Sequence, residues 1–188
     1  MNKLKVLFLS VRPWSFVVSI VAVLIPILGM AYLGYEVKPL MVLWALFGMV
    51  LFHAAGNTLS DYFDYKRGVD AADTYGQVVL TEKLMQPQHM LWLGITLTIL
   101  SCINGVLIWW AVDWDYRLLI LGGMAALLTI LYSSFKFVAF GDMVITFNFG
   151  ILPAFGICLV ACDTVSWDVL WFVLLYVPIT NAVLHANN

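Results

Sequence analysis

The chain has 188 residues, 63% of them hydrophobic and only 11% charged, with a formal net charge of -2 and a mean hydropathy of +0.97. These values exclude an ordinary water-soluble domain and place the chain among membrane proteins. With so little net charge there is no basic surface for phosphate neutralisation, so nucleic acid is excluded as a partner. Three cysteines, Cys102, Cys158 and Cys162, lie inside apolar runs without a CxxC pair and read as small packing residues.

The start, "MNKLKVLFLSVRPWSF", is basic, and the apolar tract after Arg12 continues to Leu33. That tract is longer than a secretory h-region, so a retained first span is expected. Six stretches without Asp, Glu, Lys or Arg are long enough for a crossing, which takes about 20 residues; they are roughly 14–34, 40–60, 89–111, 118–135, 143–162 and 169–187. Three connections are short: "YEVKP", "VDWDYR" and "DTVSWD". The segment from Asp61 to Gln88 is long and polar, and "SFKFVAFGD" carries Lys136 and Asp142. Because lipid leaves no solvent for an unpaired backbone, and no strand-length alternation is present, the expected fold is an all-α polytopic transmembrane bundle.

Basic residues set the orientation. Lys3, Lys5, Arg12, Lys66, Arg67, Lys83 and Lys136 fall on one side of the six crossings, against Lys38 and Arg117 on the other. The majority side is expected to be cytoplasmic, with both termini there.

At the inner end of the second span stands "HAAGNTLSDYFDYKRGVD". If its helix continues through Asp64, then His53, Asn57, Asp61 and Asp64 recur at i, i+4, i+8 and i+11 and form one stripe. Ionisable residues near lipid are costly, so the stripe should face the bundle or a wet cavity. Asp61 and Asp64 at i, i+3 are placed to share a hard divalent cation, and Mg²⁺ characteristically uses one or two carboxylates plus phosphate oxygens. Gly68 has the position of a C′ residue, with Lys66 and Arg67 in the last helical turn to complement the dipole. Asp70 and Asp73 beyond it serve either as loop solvation or as extra ligands.

A second stripe, Asn181, His185 and Asn188, lies at i, i+4 and i+7 at the inner end of the last span. Lys136 reaches the same face, either as a point charge for phosphate or snorkelling to headgroups. Trp109, Trp110, Trp114, Trp167 and Trp171 read as interfacial belt residues. Phe135, Phe137, Phe140, Phe147 and Phe149 flank the inner loop, where they pack as core or present π faces to a cation.

These residues resemble the UbiA-type intramembrane polyprenyltransferases, and within them the branch that prenylates 1,4-dihydroxy-2-naphthoate in menaquinone synthesis. "NTLSDYFDYKRGVD" is similar to that branch's first aspartate-rich motif, with Asn57, Asp61, Asp64, Lys66, Gly68 and Asp70 on its positions. "RPWSF" resembles the family's first helix. "LYSSFKFVAFGDMVITFNFGILPAFG" resembles its fourth and fifth helices through Tyr132, Lys136, Gly141, Asp142 and Phe149-Gly150. The resemblance implies a single transmembrane prenyltransferase domain over residues 1–188, with six spans of a roughly nine-span family fold.

It further implies Mg²⁺ held by Asp61 and Asp64, with Asp70 also serving the catalytic site. The diphosphate of an allylic polyprenyl donor would meet Asn57, Tyr132, Lys136 and Asn188. The acceptor would be aromatic, such as a dihydroxynaphthoate, and the setting a bacterial inner membrane with the site on its cytoplasmic side. Ser60 stands where the family often has Asn. The family pattern places a second aspartate-rich motif, of the form NNxRDxxxD, from Asn187 and Asn188 onward, so a chain ending at Asn188 is expected to be impaired. The competing class is a polytopic transporter or ion-coupled channel, since intramembrane His, Asn and Asp also mark ion paths. A purely structural or partner-binding bundle is the third class.

Overall fold

A computed structural model describes residues 2–68, 78–135 and 140–186, excluding the side chains of residues 130–142 and 184–186. The described residues are helical in every regular element: α1 Lys3–Val11, a 3₁₀ turn Pro13–Ser15, α2 Phe16–Tyr32, α3 Pro39–Arg67, α4 Val78–Thr81, α5 Pro87–Ala111, α6 Tyr116–Phe135, α7 Phe140–Thr146, a π turn Phe147–Ile151, α8 Leu152–Cys162 and α9 Val169–Ala186. Four stretches are long and apolar enough to cross a membrane, namely Lys3–Tyr32, Pro39–Arg67, Pro87–Ala111 and Met143–Cys162. The other two expected spans fall on shorter apolar helices, Tyr116–Thr129 and Val169–Val183. The polytopic all-α architecture is therefore the observed one. Neither α1 nor α4 is announced by the apolar pattern.

Helix starts and stops follow local chemistry. Arg12 interrupts Lys3–Tyr32 in the left-handed region, at φ 52° and ψ 61°; the Pro13 ring disfavours the α conformation for the residue before it. At the far end of α3, Gly68 adopts φ +69°, and its N–H donates to Tyr65 O at 3.2 Å. Glycine takes that conformation without a Cβ penalty and ends the helix there, with Lys66 and Arg67 in the last turn as expected. With 29 residues, α3 is about 43 Å long at 1.5 Å per residue, so it outruns a hydrocarbon core of about 30 Å. Asp61 and Asp64 lie in about its last two turns.

In the π turn, Leu152 N–H reaches back five residues to Phe147 O. Pro153 supplies the reason: it has no N–H for the carbonyl of Phe149 and would clash with it, so the ladder widens.

The chain divides into two compact units, Met1–Val17 with Met49–Ile103, and Val18–Gly48 with Asn104–Asn188. In the first, Val6, Val79, Leu80 and Met90 form the core, with Leu9, Tyr62 and Tyr65 packed against it. Gly94 lets α5 approach α3, since a Cβ there would lie 2.7 Å from Leu59 Cδ2 and 3.1 Å from Thr58 Oγ1. In the second, Ala22, Met30, Ala154, Phe155, Cys158, Val169, Val173, Tyr176 and Val177 make the core. Polar links hold its helices together, as expected where lipid offers no hydrophobic drive: Trp44 Nε1 donates to Asn104 Oδ1 at 2.9 Å, and Tyr176 OH to Gly150 O at 3.1 Å.

Between α2 and α3 the exposed Lys38 ammonium pairs with Asp163 at 2.5 Å, and that hydrogen bond raises the Lys38 pKa. Trp110, Trp114, Trp167 and Trp171 are all exposed, which suits an aromatic belt. Cys158 is buried as expected of a packing residue, whereas Cys102 faces outward.

Gly29 sits directly beneath the ring of Phe172, so a Cβ would collide with three ring atoms. Gly29→Ala is expected to destabilise the protein by about 1–3 kcal/mol through overpacking. A lowered thermal midpoint in detergent, recovered by the second change Phe172→Leu, checks it.

Candidate active site

The aspartate stripe lies in the first unit, and its local spacing dictates a common face. His53, Asp61 and Asp64 are buried and Asn57 is partly buried, so the stripe does turn inward. Asp61 and Asp64 are only 5% and 4% exposed. Two carboxylates this deep require compensation.

For Asp61 the compensation is Arg12, whose guanidinium Nη2 pairs with Asp61 Oδ1. Arg12 is itself well covered, at 15% side-chain exposure. The αL break described above falls at Arg12 itself, and the 3₁₀ turn that follows brings Ser15 to the same group. Ser15 Oγ donates to Arg12 O at 2.8 Å, which commits its only proton. The hydroxyl oxygen therefore accepts from Asn57 Nδ2 at 3.0 Å and from His53 Nε2 at 3.3 Å; this assigns the Nε2–H tautomer to His53. Asn57 Nδ2 also donates to Val11 O at 3.0 Å. Phe16 packs edge-on against His53, with ring centroids 5.6 Å apart. At Asp64 the neighbour on the helix provides a donor: Ser60 Oγ to Asp64 Oδ2 at 3.1 Å. Ser60 thus retains a polar contact at the position where the family often has Asn.

The site is a closed polar knot of His53, Asn57, Ser15, Arg12 and Asp61, with Asp64 one turn further along α3. Arg12 Nε is buried without a hydrogen-bond partner, so the guanidinium retains unused donor capacity. Hard carboxylate oxygens at i, i+3 are the donor type that Mg²⁺ takes, and one of the two already carries the Arg12 guanidinium. Among the described residues no group of three His, Cys, Asp or Glu side chains gathers.

Other expected residues stand apart from that description. Asp70, Lys136 and Asn188, with Asp73, lie outside the described residues. Tyr132 lies on α6, and Asp142 and His185 lie on α7 and α9, but their side chains are also outside the described set. Asn181 Nδ2 donates to Thr146 Oγ1 at 2.7 Å, tying α9 to α7. Phe147 and Phe149 are half-buried on the π turn. Between them, Asn148 Nδ2 donates to Thr129 Oγ1 at 2.9 Å. Thr129 gives its own proton to Ala125 O, which fixes the Asn148 amide and leaves its Oδ1 buried without a donor.

Along the sequence Arg12 figures as an orientation charge and, with Ser15, within RPWSF, but neither has a place in the site there. The available signal was an Arg directly before Pro at the edge of an apolar tract, where a basic residue breaks the helix close to lipid.

Helices long and apolar enough to span a membrane, one of them carrying a buried, cation-paired carboxylate stripe, define a membrane protein with a charged site at a helix end. The UbiA prenyltransferase family model matches residues 7–188, and the chain belongs to that family. It is 29% identical over 187 residues to UbiA prenyltransferase domain-containing protein 1 of Mus musculus, covering 96% of this chain and 54% of that protein. The Homo sapiens protein of the same name is 26% identical over 187 residues, with the same coverage, and the Drosophila melanogaster homolog is 29% identical over 205 residues, covering 99% and 53%. The chain spans about half the length of these curated relatives. All three are animal proteins, so they lend no support to the expected bacterial host.

Proposed function

We infer that this protein transfers a polyprenyl group from an allylic polyprenyl diphosphate to an aromatic quinone precursor, in the manner of the menaquinone branch, with Mg²⁺ as cofactor. The observation that supports the reading best is the buried Asp61–Asp64 pair on one face of α3, within a chain matched to a prenyltransferase family. Asp61 and Asp64 would hold the metal, with Asp70 adding to the same catalytic group. When bound, Mg²⁺ neutralises the charge that develops on the departing diphosphate.

The residues of the chain then have separable tasks. Arg12 pairs with Asp61 and holds that carboxylate in place before substrate arrives. The Ser15–His53–Asn57 knot holds the α3 face rigid against the 3₁₀ turn, so the carboxylates are preorganised rather than searching rotamers. Asn57, Tyr132, Lys136 and Asn188 are assigned to the diphosphate, where Lys136 contributes a point charge. As the allylic C–O bond breaks, its electron pair leaves with the diphosphate, and the carbon is captured by the electron-rich ring, which then loses a proton. We assign the site to the cytoplasmic side from the distribution of basic residues, and residues 1–188 to one transmembrane prenyltransferase domain.

The experiment is transfer of label from a radiolabelled polyprenyl diphosphate to 1,4-dihydroxy-2-naphthoate by the protein reconstituted in liposomes, with and without Mg²⁺. Metal-dependent label in an organic-soluble prenylated ring is expected. Absence of transfer, together with ion flux indifferent to polyprenyl diphosphate, would favour the transport class instead.

A further inference from the structure

Helix α1 has two apolar faces, and the protein covers only one. Val6 and Leu9 pack against Val79 and Leu80 of α4 and Met90 of α5, and Ser10 is buried with its hydroxyl donating to Val6 O at 2.8 Å. On the opposite side Leu4, Leu7 and Phe8 are 72%, 42% and 58% exposed. At about 100° per residue these three, with Val11, fall within an arc of about 100°, and the exposed Lys3 and Lys5 stand at its two margins. No acidic residue occurs in α1.

The crossing does not need this helix. Nine residues extend only about 13 Å, while the 17 residues of α2 extend about 26 Å at 1.5 Å per residue, near the thickness of the hydrocarbon by themselves. The αL residue Arg12 and the 3₁₀ turn separate the two helices. Depth is set by what α1 rests on: α4, in the polar connection, and Met90 in the first turn of α5, where a candidate span begins. Trp14, just past the break, is 53% exposed, the setting in which Trp seeks the headgroup level.

We propose that α1 is an in-plane anchor that binds anionic lipid headgroups through Lys3 and Lys5, with Leu4, Leu7 and Phe8 inserted at the acyl boundary. Its inner face is already committed to the protein, so lipid contacts on the outer face steady the Arg12 turn, which the same short segment carries. The chemistry is that of a cationic interfacial helix: apolar area gives insertion, and flanking ammonium groups give selectivity for negative lipid.

The test places the protein in nanodiscs of phosphatidylcholine alone or with 30% phosphatidylglycerol, by weight of roughly equal acyl chains, and follows amide hydrogen exchange of residues 3–11. Anionic lipid is expected to slow exchange roughly 30-fold, from about fivefold per lysine near a charged surface, and Lys3→Gln with Lys5→Gln to abolish the difference. A second measurement needs no charge change: a fluorophore at Phe8→Cys, in a background with the three native cysteines replaced by Ala, should be quenched best by shallow brominated lipid. Exchange equal in both lipids overturns the headgroup assignment. Best quenching by deep brominated lipid, which would make α1 part of the span, overturns the in-plane placement. Protection that persists in detergent and rises with protein concentration would show a second copy on this face and overturn the lipid assignment as well.

Discussion

Asp64→Asn is expected to lower Mg²⁺-dependent prenyl transfer by roughly 10²- to 10⁴-fold while leaving the metal-free protein nearly as stable as before. The rate effect is the size seen when a metal or a preorganised electrostatic contact to a leaving group is removed. The small stability effect has a local cause, because an Asn amide oxygen still accepts the Ser60 hydroxyl that donates to Asp64 Oδ2. Asp61→Asn should cost comparable activity but behave differently in the absence of metal. It removes the counter-charge of a guanidinium only 15% exposed, and a buried cation left alone is destabilising. Transfer assays in liposomes and thermal unfolding in metal-free detergent separate the two variants. Unchanged transfer in Asp64→Asn would sink the metal assignment, whatever the midpoints.

Arg12→Met is expected to destabilise the protein by about 3–5 kcal/mol, the cost of breaking one side of a buried ion pair. Methionine approximates the stem of arginine and fills its channel without charge, so the loss reports the Asp61 carboxylate deprived of its guanidinium rather than a cavity. Two consequences distinguish this from general damage. The double variant Arg12→Met with Asp61→Asn should recover most of the stability, because both charges are gone and the coupling term is cancelled. Adding Mg²⁺ with inorganic diphosphate should narrow the gap between wild type and Arg12→Met, since a ligand that binds only the folded state stabilises it by mass action and supplies the missing positive charge. Unfolding followed by tryptophan fluorescence measures each of these conditions. A midpoint unmoved by Arg12→Met would mean that Asp61 is compensated elsewhere.

The Arg12 pair also shows where reading along the chain stops. The inward stripe of His53, Asn57, Asp61 and Asp64 was legible because helical period is a local property, and the spacing i, i+4, i+8, i+11 puts those groups on one face wherever the helix lies. The end of α3 was legible for the same reason: Gly68 accepts a left-handed backbone that other residues resist. Arg12 and Asp61 are 49 residues apart, and nothing in either neighbourhood names the other. The break at Arg12 is local chemistry, an Arg before a Pro, yet its partner depends on which group packing brings within reach.

A similar division holds at the π turn. Pro153 explains why the ladder widens, but that Asn148 finds Thr129 on α6, and is left with an undonated carbonyl oxygen, follows only from packing.

The amino-acid sequence by itself determined the membrane class, the positions of the apolar helices, the inward aspartate face and the family, because hydrophobic run length, helical period and motif spacing act over a few turns. Tertiary structure alone decided that Arg12 neutralises Asp61, that Ser15 joins His53 to Asn57, and that α1 carries an uncovered apolar face. Each of those depends on which groups are brought together to compensate buried charge or cover apolar surface, and that selection is made in space rather than along the chain.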